Sequence, residues 1–454
     1  MNVLNPATEE VLAQLPETTV PELKSAIESL KQGQLAWAQK PVAERLAHIR
    51  RFGELIIGHA DELALILTSE TGKPLQQSLN EIKGAHNRID HLTENAEKWL
   101  SPETMVASGS THEKITYEPL GVIANISAWN FPYNVGYNVF LYALVAGNAV
   151  LYKPSEYASL TGKQFEKYLR EAGVPENVFC CVVGGPELGQ QILEEPLDGY
   201  FFTGSHATGL HIAQAVAPKL VPLQLELGGK DPLYVMDDVA NVEQAAKNAA
   251  EGAFYNNGQS CCAVERIYVA RAIYEAFIQS FVTEVQSYAL GDPQDVGTFI
   301  GPLTRKQQIT LLNAHTADAI GQGATLLYGG KEVAGKGFYY EPTVLTDCTH
   351  DMRVMTEESF GPIIGIQKVD SDQEALELMK DTDYGLTAAI FSTDKERALA
   401  LLEELNVGTV YWNCCDRVSP NVPWSGRKNS GLGATLSVQG IRAFVQPKSY
   451  HLRP

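Results

Sequence analysis

The chain has 454 residues, 44% of them hydrophobic, with 35 basic and 54 acidic side chains and a formal net charge of −19. That size supports a sizeable core and more than one domain. So acidic a chain gains nothing from releasing phosphate counterions and is repelled by an anionic lipid surface, so neither nucleic acid nor a membrane is an expected partner.

Residues 1–6 carry neither a basic nor an apolar leader segment, so no signal peptide is expected. The first hundred residues read as helices. Leu23, Ala26, Ile27 and Leu30 recur at helical spacing after Pro21, and Leu63, Ile66 and Leu67 do so before Gly72 and Pro74. This part reads as a packing layer without obvious chemistry. From Gly121 short apolar runs alternate with amphipathic segments. Strands are expected at 122–127, 149–152, 178–183, 200–203 and 222–225, with helices near 135–145, 161–172, 187–193 and 206–216. Such alternation predicts an α/β fold with a parallel sheet of right-handed crossovers, a Rossmann-type layer. A second alternating region runs from Asp231 to about Asn413. The segment from Gly440 to His451 reads as a terminal strand with no local hairpin partner, which pairs with another subunit or a distant edge. The longest apolar run, near 139–152, is interrupted by Gly147 and Asn148 and falls short of the roughly 18 residues of a membrane helix.

Six of the seven cysteines stand in adjacent pairs, Cys180-Cys181, Cys261-Cys262 and Cys414-Cys415, and Cys348 stands alone. Neighbours make poor disulfide partners and no CxxC spacing occurs. Neither a disulfide framework nor a metal site is expected, and a reducing cytoplasm fits. The pair Cys261-Cys262 ends Phe254-Tyr255-Asn256-Asn257-Gly258-Gln259-Ser260, between a helical run at 242–254 and a strand-like run at 266–269. Glycine and two asparagines there suggest a sharp turn, where a thiol is partly exposed and can act as a nucleophile. Taken alone, a buried pair is the commoner case.

Other stretches carry chemistry at expected strand ends. Gly204-Ser205-His206-Ala207-Thr208-Gly209 opens a helix whose N-terminus attracts phosphate, although it is not GxGxxG and equally fits an ordinary turn. Lys153-Pro154-Ser155-Glu156 sets a lysine and a carboxylate where open sheets bind ligands; a solvated pair is the commoner case. In Trp129-Asn130-Phe131-Pro132 the asparagine amide can donate to an oxyanion. Glu226 follows an apolar run and opens Glu226-Leu227-Gly228-Gly229-Lys230, so its carboxylate is a tunable base. Glu357-Glu358-Ser359-Phe360-Gly361-Pro362 adds an acid beside a turn.

Together these motifs resemble the aldehyde dehydrogenase superfamily, in the family's order and over nearly the whole chain. The resemblance implies a non-acylating enzyme that oxidises an aldehyde to the carboxylic acid with hydride transfer to NAD, with NADP as a poorer alternative. It implies Cys261 as nucleophile, Glu226 as general base and Asn130 as oxyanion donor, through a thiohemiacetal and a thioester on Cys261. It implies cofactor contacts from Ser127, Trp129, Lys153, Ser155, Glu156, Gly185, Gly189, Gly204, Ser205, Leu227, Glu358 and Phe360. Its substrate pocket would be Phe131, Asn134, Val135, Asn138, Ser260, Cys262 and the loop from Asp416 to Trp424, with Arg417 and Trp424 foremost. Arg417 would bind a carboxylate or, as is commoner for a loop arginine, is solvated. The implied organisation is a dinucleotide-binding domain of 1–100 and 120–229, a catalytic domain of 230–430, and a small β arm of 101–119 and 431–454 that builds homodimers or homotetramers. Ala128 stands where many members have proline, and Asn138 replaces an aromatic found in some members' tunnels. Rival readings are a coenzyme A-acylating enzyme, which the retained Glu226 disfavours, and a binding protein that lost turnover. A cysteine hydrolase would need a histidine, and none lies in these motifs.

Overall fold

A computed structural model describes residues 1–108 and 111–453. Two mostly parallel sheets carry the fold. The first has six strands in the order Gly431–Leu432, Leu223–Glu226, Gly199–Thr203, Val122–Ile126, Ala149–Lys153 and Phe179–Cys181. All pair in parallel except the short first strand, which runs antiparallel to Leu223–Glu226. Helices Ser159–Glu171, Pro186–Glu194 and His206–Val216 form crossovers between its strands. The order of strands reverses at Val122–Ile126, and a crevice at the carboxyl ends of such a switch point is where open sheets take ligands. The expected span 135–145 is two short helices, Pro132–Tyr137 and Phe140–Ala146, both almost wholly buried.

The second sheet has seven strands, with Pro232–Val235 and Arg266–Ala270 near its middle and Thr409–Trp412 at one edge. The linker 227–231 carries the chain from one sheet to the other. Separate hydrophobic clusters cover the two faces of each sheet.

Two sequence expectations need correction. Residues 1–14 are not helical: Asn2–Leu4 and Val11–Gln14 form an antiparallel hairpin. The Asn5 side chain accepts from the Ala7 N–H at 2.9 Å and fixes its turn. Helices begin at Val20–Gln39, where Thr19 and Glu22 form a reciprocal cap. At the other end, 437–442 is a helix and the strand starts only at Val445. Ile441, Phe444 and Val445 are buried at i, i+3 and i+4, a helical rather than an alternating pattern. The terminal strand Val445–Leu452 pairs with Thr111–Pro119 of its own chain, and Glu103–Ser108 completes a three-stranded sheet. No described helix is long and apolar enough to cross a membrane.

Candidate active site

The backbone around the cysteines is built by asparagine and glycine. Asn256, Asn257 and Gly258 take three successive left-handed conformations, with φ of 52°, 56° and 67°. Asparagine tolerates this region and glycine is free in it. A side chain at Gly258 would also meet the Gly361 carbonyl at 2.4 Å. The turn is fastened on all sides. Asn257 Nδ2 donates to the Gly301 and Pro302 carbonyls at 2.9 and 2.8 Å. Gln259 Oε1 accepts from the Thr304 N–H at 3.0 Å, and Gln77 Oε1 from the Asn256 N–H at 2.8 Å. The result brings Cys261, half-buried, to the wall of a cavity of about 620 Å³.

Asn130 and Glu226 line the same cavity, as do Phe131, Asn134, Val135, Asn138, Ser260, Cys262, Arg417 and Trp424. Asn130 Nδ2 donates to the Gln259 carbonyl at 3.2 Å, which orients the amide and, among the described residues, leaves its second N–H free. Glu226 ends strand Leu223–Glu226 and is 7% exposed. Burial raises its pKa to about 7 against hydrogen bonds from Thr435 and Trp424; Thr435 Oγ1 donates at 3.2 Å. Cys262 is turned away from a free role. Its thiol donates to Asp416 Oδ1 at 3.0 Å, and Ser260 Oγ donates to the same oxygen at 3.2 Å. The hydrogen bond with Cys261, then burial, hold the Cys262 thiol well above its usual range.

The sequence reading missed part of this wall. Helix Leu75–Trp99 was expected only to pack, yet Glu81 and Arg88 line the cavity. Arg88 occupies the buried stripe formed by Ile82, Ala85, Ile89 and Leu92, so a charge in register with apolar neighbours was the available signal. Burial lowers its guanidinium to about 10, still cationic at neutral pH. Glu81 is paired with Lys73, whose ammonium lies 3.7 Å from the Phe131 ring centre. Asp416 opens the pocket loop expected from the sequence and lines the cavity in a left-handed conformation; its hold on Ser260 and Cys262 is what the sequence did not indicate.

A second group gathers at the carboxyl ends of the first sheet. Ser127 follows Val122–Ile126, with its N–H on the Lys153 carbonyl at 2.9 Å. Lys153 is buried, which lowers its ammonium, and Ser155 caps the short turn that begins with Glu156. Glu156 and Gly185 border a cavity of about 270 Å³. Gly189 has open space on its Cβ side, with Lys153 Cε at 4.0 Å. A side chain at Gly204 would meet the Phe202 ring at 2.3 Å, and Ser205 caps helix His206–Val216. Leu227 fills the space left by Gly209. Glu358 accepts from the Gly229 N–H at 3.1 Å, and burial raises its pKa to about 7. Phe360 has φ of 46° and is held because Glu265 accepts from the N–H groups of Ser359 and Phe360 at 3.0 and 2.9 Å. Lys230 anchors that carboxylate at 2.7 Å. The rings of Trp129 and Phe360 meet edge-on at 5.6 Å, with the Arg305 guanidinium 5.3 Å from Trp129.

A family model described as the aldehyde dehydrogenase family matches residues 1–450. The chain belongs to the aldehyde dehydrogenase family. It is 35% identical over 453 residues to an NADP(+) succinate-semialdehyde dehydrogenase of Deinococcus radiodurans, covering 98% of this chain and 93% of that one. It is 33% identical over 462 residues to a chloroplastic aminoaldehyde dehydrogenase of Arabidopsis thaliana, covering 99% and 92%. Betaine aldehyde dehydrogenase of Staphylococcus aureus, solved with NAD+, superposes with a TM-score of 0.96 at 30% identity over 100% of this chain and 92% of that one. This aldehyde dehydrogenase is an oxidoreductase that oxidises an aldehyde with NAD(P) as cofactor.

Proposed function

We propose that Cys261 is the nucleophile, Glu226 the general base and Asn130 an oxyanion donor in oxidation of an aldehyde to its carboxylic acid. The observation that carries this is one cavity shared by three side chains that lie far apart in the chain, at 130, 226 and 261. Cys261 as thiolate adds to the aldehyde carbon, the C=O π pair moves to the oxygen, and the oxygen takes the negative charge. The free N–H of Asn130 and the Cys261 backbone N–H donate to that oxygen. Bound NAD(P) supplies the hydride acceptor, and the acyl group stays on Cys261 as a thioester. Glu226 then takes a proton from water, whose oxygen attacks the thioester carbon, and the thiolate leaves. A carboxyl with pKa about 7 is suited to both accepting and releasing that proton near neutrality.

Residues present fit a dinucleotide. The N-terminus of His206–Val216 and the open face at Gly189 suit a diphosphate. Glu156 would take the adenosine ribose hydroxyls beside Lys153, which favours NAD over NADP. Glu358, Phe360 and Trp129 suit the nicotinamide end. This reading divides the chain into a dinucleotide-binding part of 1–100 and 120–229, a catalytic part of 230–430, and an arm of 101–119 and 431–454.

Dimers, and dimers of dimers, are favoured by the arm. Val445–Leu452 is an edge strand of the three-stranded sheet, and Thr409–Trp412 ends the seven-stranded one. Open edges invite pairing across subunits. Free cysteines throughout suit a reducing cytoplasm. Steady production of NADH from an aldehyde without coenzyme A tests the activity; dependence on coenzyme A would assign the acylating reaction instead. Light scattering that finds a monomer at micromolar concentration would remove the assembly.

A further inference from the structure

The substrate names of the relatives differ in charge, and the cavity wall carries its own indication. Arg88 is 7% exposed. Its Nε donates to Asn138 Oδ1 at 3.0 Å and its Nη1 to Asn134 Oδ1 at 2.6 Å. Both partners are neutral amides. Among the described residues no carboxylate lies within ion-pair distance of the guanidinium, and Nη2 takes no partner. Buried charges are ordinarily paired, because the loss of hydration is otherwise uncompensated.

The other charges of the cavity do not serve Arg88. Glu81 is committed to Lys73. Asp416 is committed to Ser260 and Cys262. Glu226 accepts from Thr435, and Glu251 is exposed. The two asparagines reinforce the pattern. With their oxygens turned to an arginine that can only donate, each presents its N–H2 group as the remaining polar surface. Guanidinium and amides together form a cluster of donors that lacks an anionic acceptor.

We propose that Arg88, with Asn134 and Asn138, binds a carboxylate on the substrate, so that the preferred aldehydes carry an acid group at the end remote from the reacting carbon. This rests on Cys261 and Glu226 serving as assigned above. A planar guanidinium fork matches a carboxylate in two parallel hydrogen bonds, which a neutral or cationic chain end cannot supply. Arg88 acts here in binding and orientation and takes no part in bond making.

The test compares 4-oxobutanoate, butanal and 4-aminobutanal as substrates, by kcat/KM, in wild type, Arg88→Gln and Arg88→Lys. Wild type should prefer 4-oxobutanoate. In Arg88→Gln the ratio of 4-oxobutanoate to butanal should fall roughly a hundredfold, the scale for losing one buried charged partner, mainly through KM. Arg88→Lys should recover part of it. Succinate should inhibit wild-type oxidation of butanal competitively where butane-1,4-diamine does not, a result that needs no variant to fold. A wild-type preference for butanal or 4-aminobutanal, an unchanged ratio in Arg88→Gln, or no competition from succinate would overturn the carboxylate site while leaving aldehyde oxidation intact. Failure of the folded enzyme to oxidise any of the three would overturn the active-site assignment and the proposal with it.

Discussion

Cys180-Cys181 and Cys261-Cys262 are the same dipeptide in two settings. The first ends a parallel strand, Phe179–Cys181, under the covering helices. Burial pushes the Cys180 thiol up to about 11 and Cys181 further. Cys181 is 4% exposed, and its N–H is bound to Glu166 at 2.9 Å. Neither Cys180 nor Cys181 lines either of the cavities described above. The second pair follows a left-handed turn that breaks regular structure and turns one thiol to a cavity shared with Asn130 and Glu226. Its neighbour is turned to Asp416. Composition is therefore silent on which thiol reacts. On the proposed reading the turn decides it: Cys180 and Cys261 are both half-buried, but only the turn brings its thiol to a cavity that an amide and a carboxylate share.

Replacement of Cys261 breaks this contrast most severely. Cys261→Ala should lose about 10⁴-fold or more in kcat, as for removal of a covalent nucleophile, while NAD binding followed by fluorescence persists. Cys181→Ala should leave no such deficit. Equal losses in the two variants would mean that the setting does not matter.

Glu226→Gln should slow turnover by about 10²–10⁴-fold, with a burst of NADH before a slow steady state. In wild type the base form of Glu226 grows as pH rises through about 7, so a hydrolysis-limited rate should climb and then level. The glutamine variant should lose that rise. A rise preserved in the variant would assign it to another group.

Cofactor choice is a smaller effect. A 2′-phosphate about 4 Å from Glu156 would be repelled by on the order of 4 kcal/mol at an effective dielectric near 20, before rearrangement and screening. Wild type should prefer NAD in kcat/KM, and Glu156→Gln should narrow the gap. An unchanged ratio would remove Glu156 from the choice. Smallest of all is Cys262→Ala, which should keep most of the turnover, since Ser260 still holds Asp416. Loss of activity there with retention in Cys261→Ala would reverse the assignment of the two thiols.

Much of the first sheet was legible because short apolar runs end in glycine, lysine or glutamate at regular spacing, and such runs are strands wherever crossovers cover both faces. The helix at 242–254 was equally plain, with Asn241 as its cap. The amino-terminal hairpin was not, because strands of three and four residues carry no period. The helix at 437–442 was hidden by a β-rich sequence around Phe444, whose ring stacks on Phe201 at 4.4 Å. The site was legible where a motif concentrates its residues. Arg88 escaped, and so did the contacts of Asp416 within its expected loop, because each meets its partners only across a distance in sequence. Asp416 reaches Ser260 across 156 positions, and Arg88 reaches Asn138 across 50.

The most direct test of Cys261 as nucleophile is to trap the acyl enzyme. Glu226→Gln is mixed with aldehyde and NAD, quenched in acid, digested, and the peptide bearing 261 and 262 is fragmented by mass spectrometry, with Cys262→Ala added in parallel to prevent migration between thiols. The acyl mass should sit on Cys261 in both proteins. An acyl group on Cys262, or none on this peptide while NADH is released in a burst, would contradict the account.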